Sequence, residues 1–172
     1  MDVKSFISKI NLLNPEEKKL INKGYSEKMI SDIFEKEFNI NKKNNLESNH
    51  IIEDFYLNYM ISNFRILNLF FTNKIDEQII KNQIIFGFIE GGYISYEYKT
   101  GFFYTSYSDD IADSMEILCE NEKQFFEILL IIAEYSSKCY LDEISNIDQV
   151  IEFYIEKCIR IYDKGGYERL FI

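Results

Sequence analysis

Residues 93–107, which read YISYEYKTGFFYTSY, contain the signal that decides the fold. Two runs of aromatic and β-branched residues with equal length, Tyr93–Tyr98 and Phe102–Tyr107, flank Lys99-Thr100-Gly101. A three-residue loop that ends in glycine is a favoured connection of a β-hairpin. The pair Gly91-Gly92 supplies another turn just before the first run. The stretch therefore predicts an antiparallel meander.

The segments that precede this hairpin predict further strands. Gln83–Ile89 carries apolar side chains on both faces, which is typical of a central strand. Arg65–Phe71 is short and apolar and is followed by Thr72-Asn73, which predicts one more strand. A helix that continues from Ile61 is the alternative for that segment. Ile75–Lys81 is compatible with either type of element.

Helical patterns lie on both sides of the strands, because apolar residues recur there at a spacing of three and four. The predicted helices are Val3–Leu12, a helix that begins at Asn14-Pro15-Glu16-Glu17 and runs to about Asn22, a helix that Ser26 caps and that extends to Phe38, His50–Asn63, Glu122–Ser137, and Ile147–Tyr162 with a cap at Ser145 or Asn146. The tail Tyr167–Ile172 is predicted to close as a strand. This order predicts a single α+β domain over residues 1–172, with the meander sheet packed against helices from both ends of the chain.

The negative charge is concentrated in the second half of the chain. The whole sequence has a formal net charge of −10. Residues 107–156 hold thirteen acids against two lysines, a net charge of −11, and the remaining residues carry +1. Such a field repels nucleic acids and anionic membranes and attracts basic protein surfaces. We therefore expect neither a nucleic-acid nor a membrane partner, although a purely solubilising role of the charge is the alternative.

Motifs of common catalytic and metal sites are absent from the sequence. His50 is the single histidine. Cys119, Cys139 and Cys158 are too widely spaced for a zinc site, and three cysteines are too few, and an odd number, for a disulfide framework. The sequence contains no P-loop, no dinucleotide-binding fingerprint and no nucleophile elbow. Neither a secretory signal nor a bilayer-spanning apolar run is recognised. We expect a cytoplasmic, non-enzymatic protein with reduced thiols and no cofactor or metal.

Candidate contact residues gather at one end of the predicted hairpin. Its tyrosines cannot all be buried, and exposed tyrosine is frequent in binding surfaces. Carboxylates beside them suit a basic partner. The predicted partner-binding residues are Glu97, Tyr107, Asp109, Asp110, Asp113 and Glu116.

Two other interpretations of these residues stay open. Cross-strand tyrosine pairs also stabilise sheets without any binding role. Asp109 and Asp113 follow a predicted strand, where carboxylates of metal or catalytic sites often lie. An enzyme that uses these two aspartates with a metal is therefore the third hypothesis.

Several segments between Gly24 and Tyr135 resemble the SUKH superfamily. The matching segments are Gly24-Tyr25-Ser26-Glu27 with Phe34–Ile40, then Phe86-Gly87 with Gly91-Gly92-Tyr93, then Tyr98–Tyr104 with its Thr100-Gly101 turn, and Ile117-Leu118-Cys119 leading to Phe125–Leu129. The sequence departs from the family pattern at Asn44-Asn45-Leu46, where a Leu-Pro pair is usual, and near Met60–Phe64, where an Asn-Gly-Gly is usual.

The resemblance implies a binding domain and not an enzyme. Bacterial members of this superfamily are mostly immunity proteins, which neutralise polymorphic toxins, frequently nucleases, by binding them. Relatives in fungi act as regulatory scaffolds. The resemblance therefore predicts a cognate toxin with a basic surface as the partner, and a scaffolding module with a different partner is the alternative. The oligomeric state stays open.

Overall fold

The computed structural model describes residues 1–48, 50–61, 64–80, 83–106, 115–141 and 146–171, with the backbone alone for residues 73–80. In these ranges six α-helices and one six-stranded antiparallel sheet form a single α+β domain. Helices lie at both ends of the chain and the strands lie between them. The predicted fold class is confirmed.

The sheet is a meander in which each strand pairs with the next strand along the chain. Its strands are β1 (Arg65–Ile66), β2 (Leu69–Ile80), β3 (Gln83–Ile89), β4 (Gly92–Glu97), β5 (Phe103–Ser106) and β6 (Met115–Cys119). Strand β3 lies inside the sheet and all its residues except Phe88 are buried. The prediction of a central strand from its two apolar faces is confirmed.

The helices begin where the sequence supplies capping side chains. They are α1 (Val3–Asn11), α2 (Glu17–Asn22), α3 (Glu27–Ile33), α4 (Ile51–Asn58), α5 (Glu122–Tyr140) and α6 (Ile147–Ile159), with a π-helix at Phe34–Phe38 and a 3-10 helix at Glu168–Leu170. Ser26 accepts a hydrogen bond from the Met29 amide at 3.3 Å, and Asn146 accepts one from the Gln149 amide at 3.4 Å. The predicted cap at Ser26 is confirmed, and Asn146 caps α6.

Aromatic side chains fill the layer between the sheet and the helices. The ring of Phe125 on α5 stacks on Phe103 of β5, with 4.2 Å between the ring centroids. Phe126, one residue further, contacts Phe6 of α1 at 4.7 Å and Phe55 of α4 at 5.7 Å. Helix α5 therefore joins the N-terminal helices to the sheet, and its apolar sequence is explained by burial from both sides.

Two predicted elements between the helices and the sheet differ from the structure, and one strand was missed. Arg65–Phe71 is not one strand, because Leu67 has a φ of 53° and the chain turns there from β1 into β2. The predicted helix from His50 ends at Asn58, and Tyr59 instead forms a bridge with Lys42. Strand β6 was not predicted as a separate strand.

The C-terminal tail was predicted as a strand, and this is wrong. Residues Glu168–Leu170 form a 3-10 helix instead. The side chains of the tail explain why it packs beside the sheet and does not join it. Tyr167 is buried and donates hydrogen bonds to the carbonyl oxygens of Tyr162 and Leu118. The Arg169 carbonyl oxygen accepts a hydrogen bond from the Asn68 amide at 2.7 Å. The tail is thus tied to β6 and to the turn between β1 and β2.

No helix among the described residues is long and apolar enough to cross a membrane.

Candidate functional site

The predicted contact residues fall into two groups. Glu97 ends β4 and Glu116 lies on β6, and both are at least partly exposed. The other four lie outside the described residues, namely Tyr107, Asp109, Asp110 and Asp113. The geometry of the site is therefore built from Glu97, Glu116 and their neighbours.

Glu97 is held in place at the closed end of the β4–β5 hairpin. Its Oε2 accepts hydrogen bonds from the Thr100 hydroxyl at 2.8 Å and from the Tyr104 hydroxyl at 3.1 Å. The Glu97 backbone closes the hairpin, because its carbonyl oxygen accepts from the Gly101 amide at 2.8 Å. Gly101 has a φ of 78°, a conformation that glycine adopts without strain. The turn chemistry that predicted the hairpin also fixes this carboxylate.

A second carboxylate of the same region comes from helix α4. The hydroxyl of Tyr98, which is exposed in the hairpin turn, donates to Glu53 Oε1 at 3.0 Å. The ring of His50, the residue before α4, lies 4.9 Å from the Tyr98 ring. This contact is not predictable from a local sequence pattern, because Tyr98 and Glu53 are 45 positions apart.

The start of α5 adds two more acids. Glu122 Oε1 accepts a hydrogen bond from the Ile52 amide of α4 at 3.3 Å. The Glu120 carbonyl oxygen lies 3.9 Å from the point that a Cβ on Gly101 would occupy, so the chain before α5 runs beside the hairpin turn. We call this region the hairpin-end surface, and its members are Glu53, Glu97, Tyr98, Tyr104, Glu120 and Glu122.

The negative charge of this surface raises the pKa values of nearby tyrosines. Burial, together with the charges of Glu122 and Glu53, raises the pKa of Tyr96 to about 12. Burial likewise raises the pKa of Tyr104, and its hydrogen bond to Glu97 adds to the effect. The carboxylates of α4 and α5 therefore act on Tyr96, and the carboxylate of β4 acts on Tyr104. The sequence predicts a patch of several exposed tyrosines in this hairpin. In the structure Tyr98 is exposed but Tyr96 is buried, so the patch is smaller than predicted.

Glu116 borders an open cavity of about 430 Å³ between β6 and the C-terminal tail. Tyr162, Lys164 and Glu168 line it together with Gly165-Gly166. A Cβ on Gly165 would lie 2.7 Å from the Leu118 carbonyl oxygen, and one on Gly166 would lie 2.5 Å from Glu116 Oε2. The two glycines therefore let the tail lie directly against the edge strand.

Among the described residues, the candidates for chemistry are the acids, the cysteines and His50. In these ranges no group of three or more His, Cys, Asp and Glu side chains is arranged to hold a metal ion. Burial raises the pKa of the Cys158 thiol to about 12, which disfavours the reactive thiolate. His50 contacts aromatic rings, with the Tyr96 ring at 6.5 Å. The hypothesis of a metal site at Asp109 and Asp113 concerns residues outside the described ranges and stays a prediction.

Comparisons with known proteins give no relative: no protein-family model matches the sequence, and neither the curated proteins nor the solved structures contain a significant match.

Proposed function

We propose that this chain is an immunity protein that binds a cognate toxin and blocks it by covering a basic surface. The hairpin-end surface is the proposed centre of the contact. A nuclease is the toxin class that fits best, because its active site is basic in order to hold phosphates, and carboxylates can take their place.

The observation that carries the proposal is the way in which the carboxylates are held. Glu97 is bound by two hydroxyl groups, Glu53 by the Tyr98 hydroxyl and Glu122 by a backbone amide. Side chains that are ordered before binding lose less conformational entropy when a partner arrives. Hydroxyl and amide donors also leave the negative charge in place, whereas an ion pair would neutralise it. The three carboxylates are therefore ordered and still negatively charged, and both properties favour the binding of a basic partner.

Two further features support a protein partner. Tyr98 is 38% exposed and donates to Glu53, and tyrosine is a frequent anchor in protein interfaces. The resemblance to the SUKH superfamily includes the turn Thr100-Gly101 that fixes Glu97. The turn motif of the resemblance and the hairpin-end surface therefore lie in the same hairpin.

Co-expression with the protein encoded directly upstream of this gene tests the proposal. We expect that protein to arrest bacterial growth by itself and this chain to restore growth. The variant Glu53→Gln/Glu97→Gln/Glu122→Gln keeps the shapes and hydrogen-bond acceptors but removes three charges, so we expect it to protect at least about tenfold less well. The control is Glu16→Gln/Glu35→Gln/Glu47→Gln, which removes three exposed charges elsewhere and should protect normally.

Two outcomes contradict the proposal. In the first, the wild-type chain neither restores growth nor co-purifies with the upstream protein. In the second, the two triple variants protect equally well, which would remove the hairpin-end surface from the contact.

A further inference from the structure

The exposed ring of Tyr98 is held in place by two other aromatic rings. Their centroids lie 4.9 Å away for His50 and 5.4 Å away for Tyr96, at interplanar angles of 56° and 78°. The rings of His50 and Tyr96 are 6.5 Å apart. Tyr96 is buried and contacts Phe103 at 4.8 Å, so the three rings are attached to the core. The Tyr98 ring is therefore exposed and also fixed in orientation.

Two carboxylates lie beside these rings. The Tyr98 hydroxyl donates to Glu53 Oε1 at 3.0 Å, so the second oxygen of Glu53 can accept from another donor. Glu122 lies close to the start of α4, because it accepts from the Ile52 amide at 3.3 Å. Burial raises the pKa of Tyr96, and the charges of Glu122 and Glu53 add to this effect. Both carboxylates therefore act on the same group of rings.

Rings and carboxylates in this combination favour one kind of cation. We define the Tyr98 corner as His50, Glu53, Tyr96, Tyr98 and Glu122. An aromatic ring attracts a cation, and a neighbouring carboxylate adds an ion pair. A guanidinium group uses both at once, because it is planar, stacks on rings and offers five donors. The ammonium group of lysine is compact and strongly hydrated, so it gains less from the ring.

We propose that the Tyr98 corner receives an arginine side chain of the partner protein, which stacks on the Tyr98 ring and pairs with Glu53. The inference rests on the proposed function and names the chemical group that the hairpin-end surface recognises. Arginine is a common phosphate ligand, so a toxin that holds phosphates can supply it. Tyr98 is then the residue that makes the contact specific for arginine over lysine.

A second copy of this chain is a poor source of that arginine. Each copy carries a net charge of −10, and like charges oppose association. The arginines of the chain are Arg65, Arg160 and Arg169. Arg65 is bound to the buried Glu37, and Arg160 lies 3.9 Å from Glu156 of α6. The expected source is therefore a basic partner protein.

Titration of the ¹⁵N-labelled protein with N-acetyl-arginine amide and with N-acetyl-lysine amide tests the inference, because each compound carries one positive charge. We expect the arginine compound to shift the amides of residues 50–53 and 96–100 and to bind at least about threefold more tightly than the lysine compound. Tyr98→Leu should abolish this preference, whereas Tyr98→Phe keeps the ring and should retain most of it. The matched control is Phe88→Leu, which removes a ring that is 41% exposed elsewhere on the sheet and should leave the preference unchanged.

A second variant separates the ring from the charge. Glu53→Gln keeps an acceptor for the Tyr98 hydroxyl but removes one negative charge. We expect both compounds to bind about threefold more weakly to this variant, while the preference for arginine remains. Loss of the preference in Tyr98→Leu alone identifies the ring as its cause.

Equal affinities of the wild type for the two compounds overturn the inference, and so does an arginine preference that Tyr98→Leu leaves unchanged. Co-expression with the protein encoded directly upstream separates the inference from the proposed function. If the wild type and Tyr98→Leu restore growth equally well and Glu53→Gln/Glu97→Gln/Glu122→Gln does not, the inference is overturned and the proposed function stands. If the arginine compound binds as expected but the wild type does not restore growth, the proposed function fails and the arginine site stands.

Discussion

The buried side chain of Glu37 connects the sheet to the helices. Its side chain is only 2% exposed and lies in the π-helix that follows α3. Arg65 of β1 donates to it at 3.1 Å, Ser136 of α5 at 2.9 Å, and the Tyr140 hydroxyl also donates to it. A buried carboxylate is tolerated only with such partners, because its dehydration is costly.

Replacement of Glu37 should therefore destabilise the fold strongly. Glu37→Ala leaves a guanidinium group and two hydroxyl groups without their acceptor, and we expect a loss of about 3 kcal/mol in the free energy of unfolding. Urea denaturation measures this loss. Glu35→Ala, on the exposed side of the same π-helix, should cost about 0.5 kcal/mol or less. Equal losses for the two variants would show that the buried network does not stabilise the protein.

Individual contacts were predictable from the sequence only where the partners are close along the chain. Glu97 and Thr100 are three positions apart and Glu97 and Tyr104 are seven apart, so the hairpin motif already places them together. Glu122 and the Ile52 amide are 70 positions apart, and no local pattern links them. Glu97 was therefore a candidate from the sequence, whereas Glu53 and Glu122 became candidates only with the fold.

Whole helices and strands show the same distinction between local signals, which are predictable, and contacts between distant parts of the chain, which are not. The β4–β5 hairpin was predicted because a glycine with positive φ marks its turn. The turn between β1 and β2 was missed because Leu67 has the positive φ there, and leucine rarely adopts it. Strand β6 has the mixed pattern Met115–Cys119, in which two residues are buried and the others are partly or fully exposed. Its place in the sheet follows from its pairing with β5 and not from its own sequence.

The junction of α5 and α6 depends on one carboxylate between the helices. Glu134 accepts hydrogen bonds from Lys157 at 2.8 Å and from the Tyr154 hydroxyl at 3.0 Å. Burial would raise the pKa of Glu134, but these two hydrogen bonds and the charges of Lys157 and Lys138 together outweigh it, and the pKa is lowered. A lowered pKa stabilises the native state above the usual pKa of about 4.5, and this contribution is lost as the pH falls through the lower native value.

Removal of this carboxylate should loosen α6 and leave the sheet unchanged. For Glu134→Ala we expect faster hydrogen exchange of the α6 amides at pH 7, with unchanged exchange in β3 and β4. Wild type and variant should become alike as the pH falls through the lowered native pKa of Glu134. Glu127→Ala on the same helix is the control. Unchanged exchange of α6 at pH 7 would mean that its apolar contacts alone hold the helix.

At the scale of the molecule, the tyrosines make stability depend on alkaline pH. Burial raises the pKa of Tyr96 and of Tyr135 to about 12, and it also raises the pKa values of Tyr140, Tyr154 and Tyr167. A raised native pKa means that the stabilisation is complete below the unfolded value of about 10 and is lost as the pH rises above it.

Burial also raises the pKa values of the Cys119 and Cys158 thiols, so the free energy of unfolding should begin to fall above about pH 9 and fall steeply between about pH 10 and 12. Urea denaturation across this range measures the fall, and the absorbance of tyrosinate should appear together with unfolding. Ionisation of all tyrosines near pH 10 without loss of structure would contradict the burial of these rings.

The charge of the whole molecule leads to the central claim, that the hairpin-end surface of this acidic protein binds a basic protein. Calorimetric titration with the protein encoded directly upstream, at about 50 mM and about 300 mM salt, tests it most directly. The account predicts a one-to-one complex with a Kd below about 1 μM that weakens at least about tenfold with salt and is weakened further by Glu53→Gln/Glu97→Gln/Glu122→Gln. The absence of binding, or a Kd that responds to neither the salt nor this variant, would contradict it.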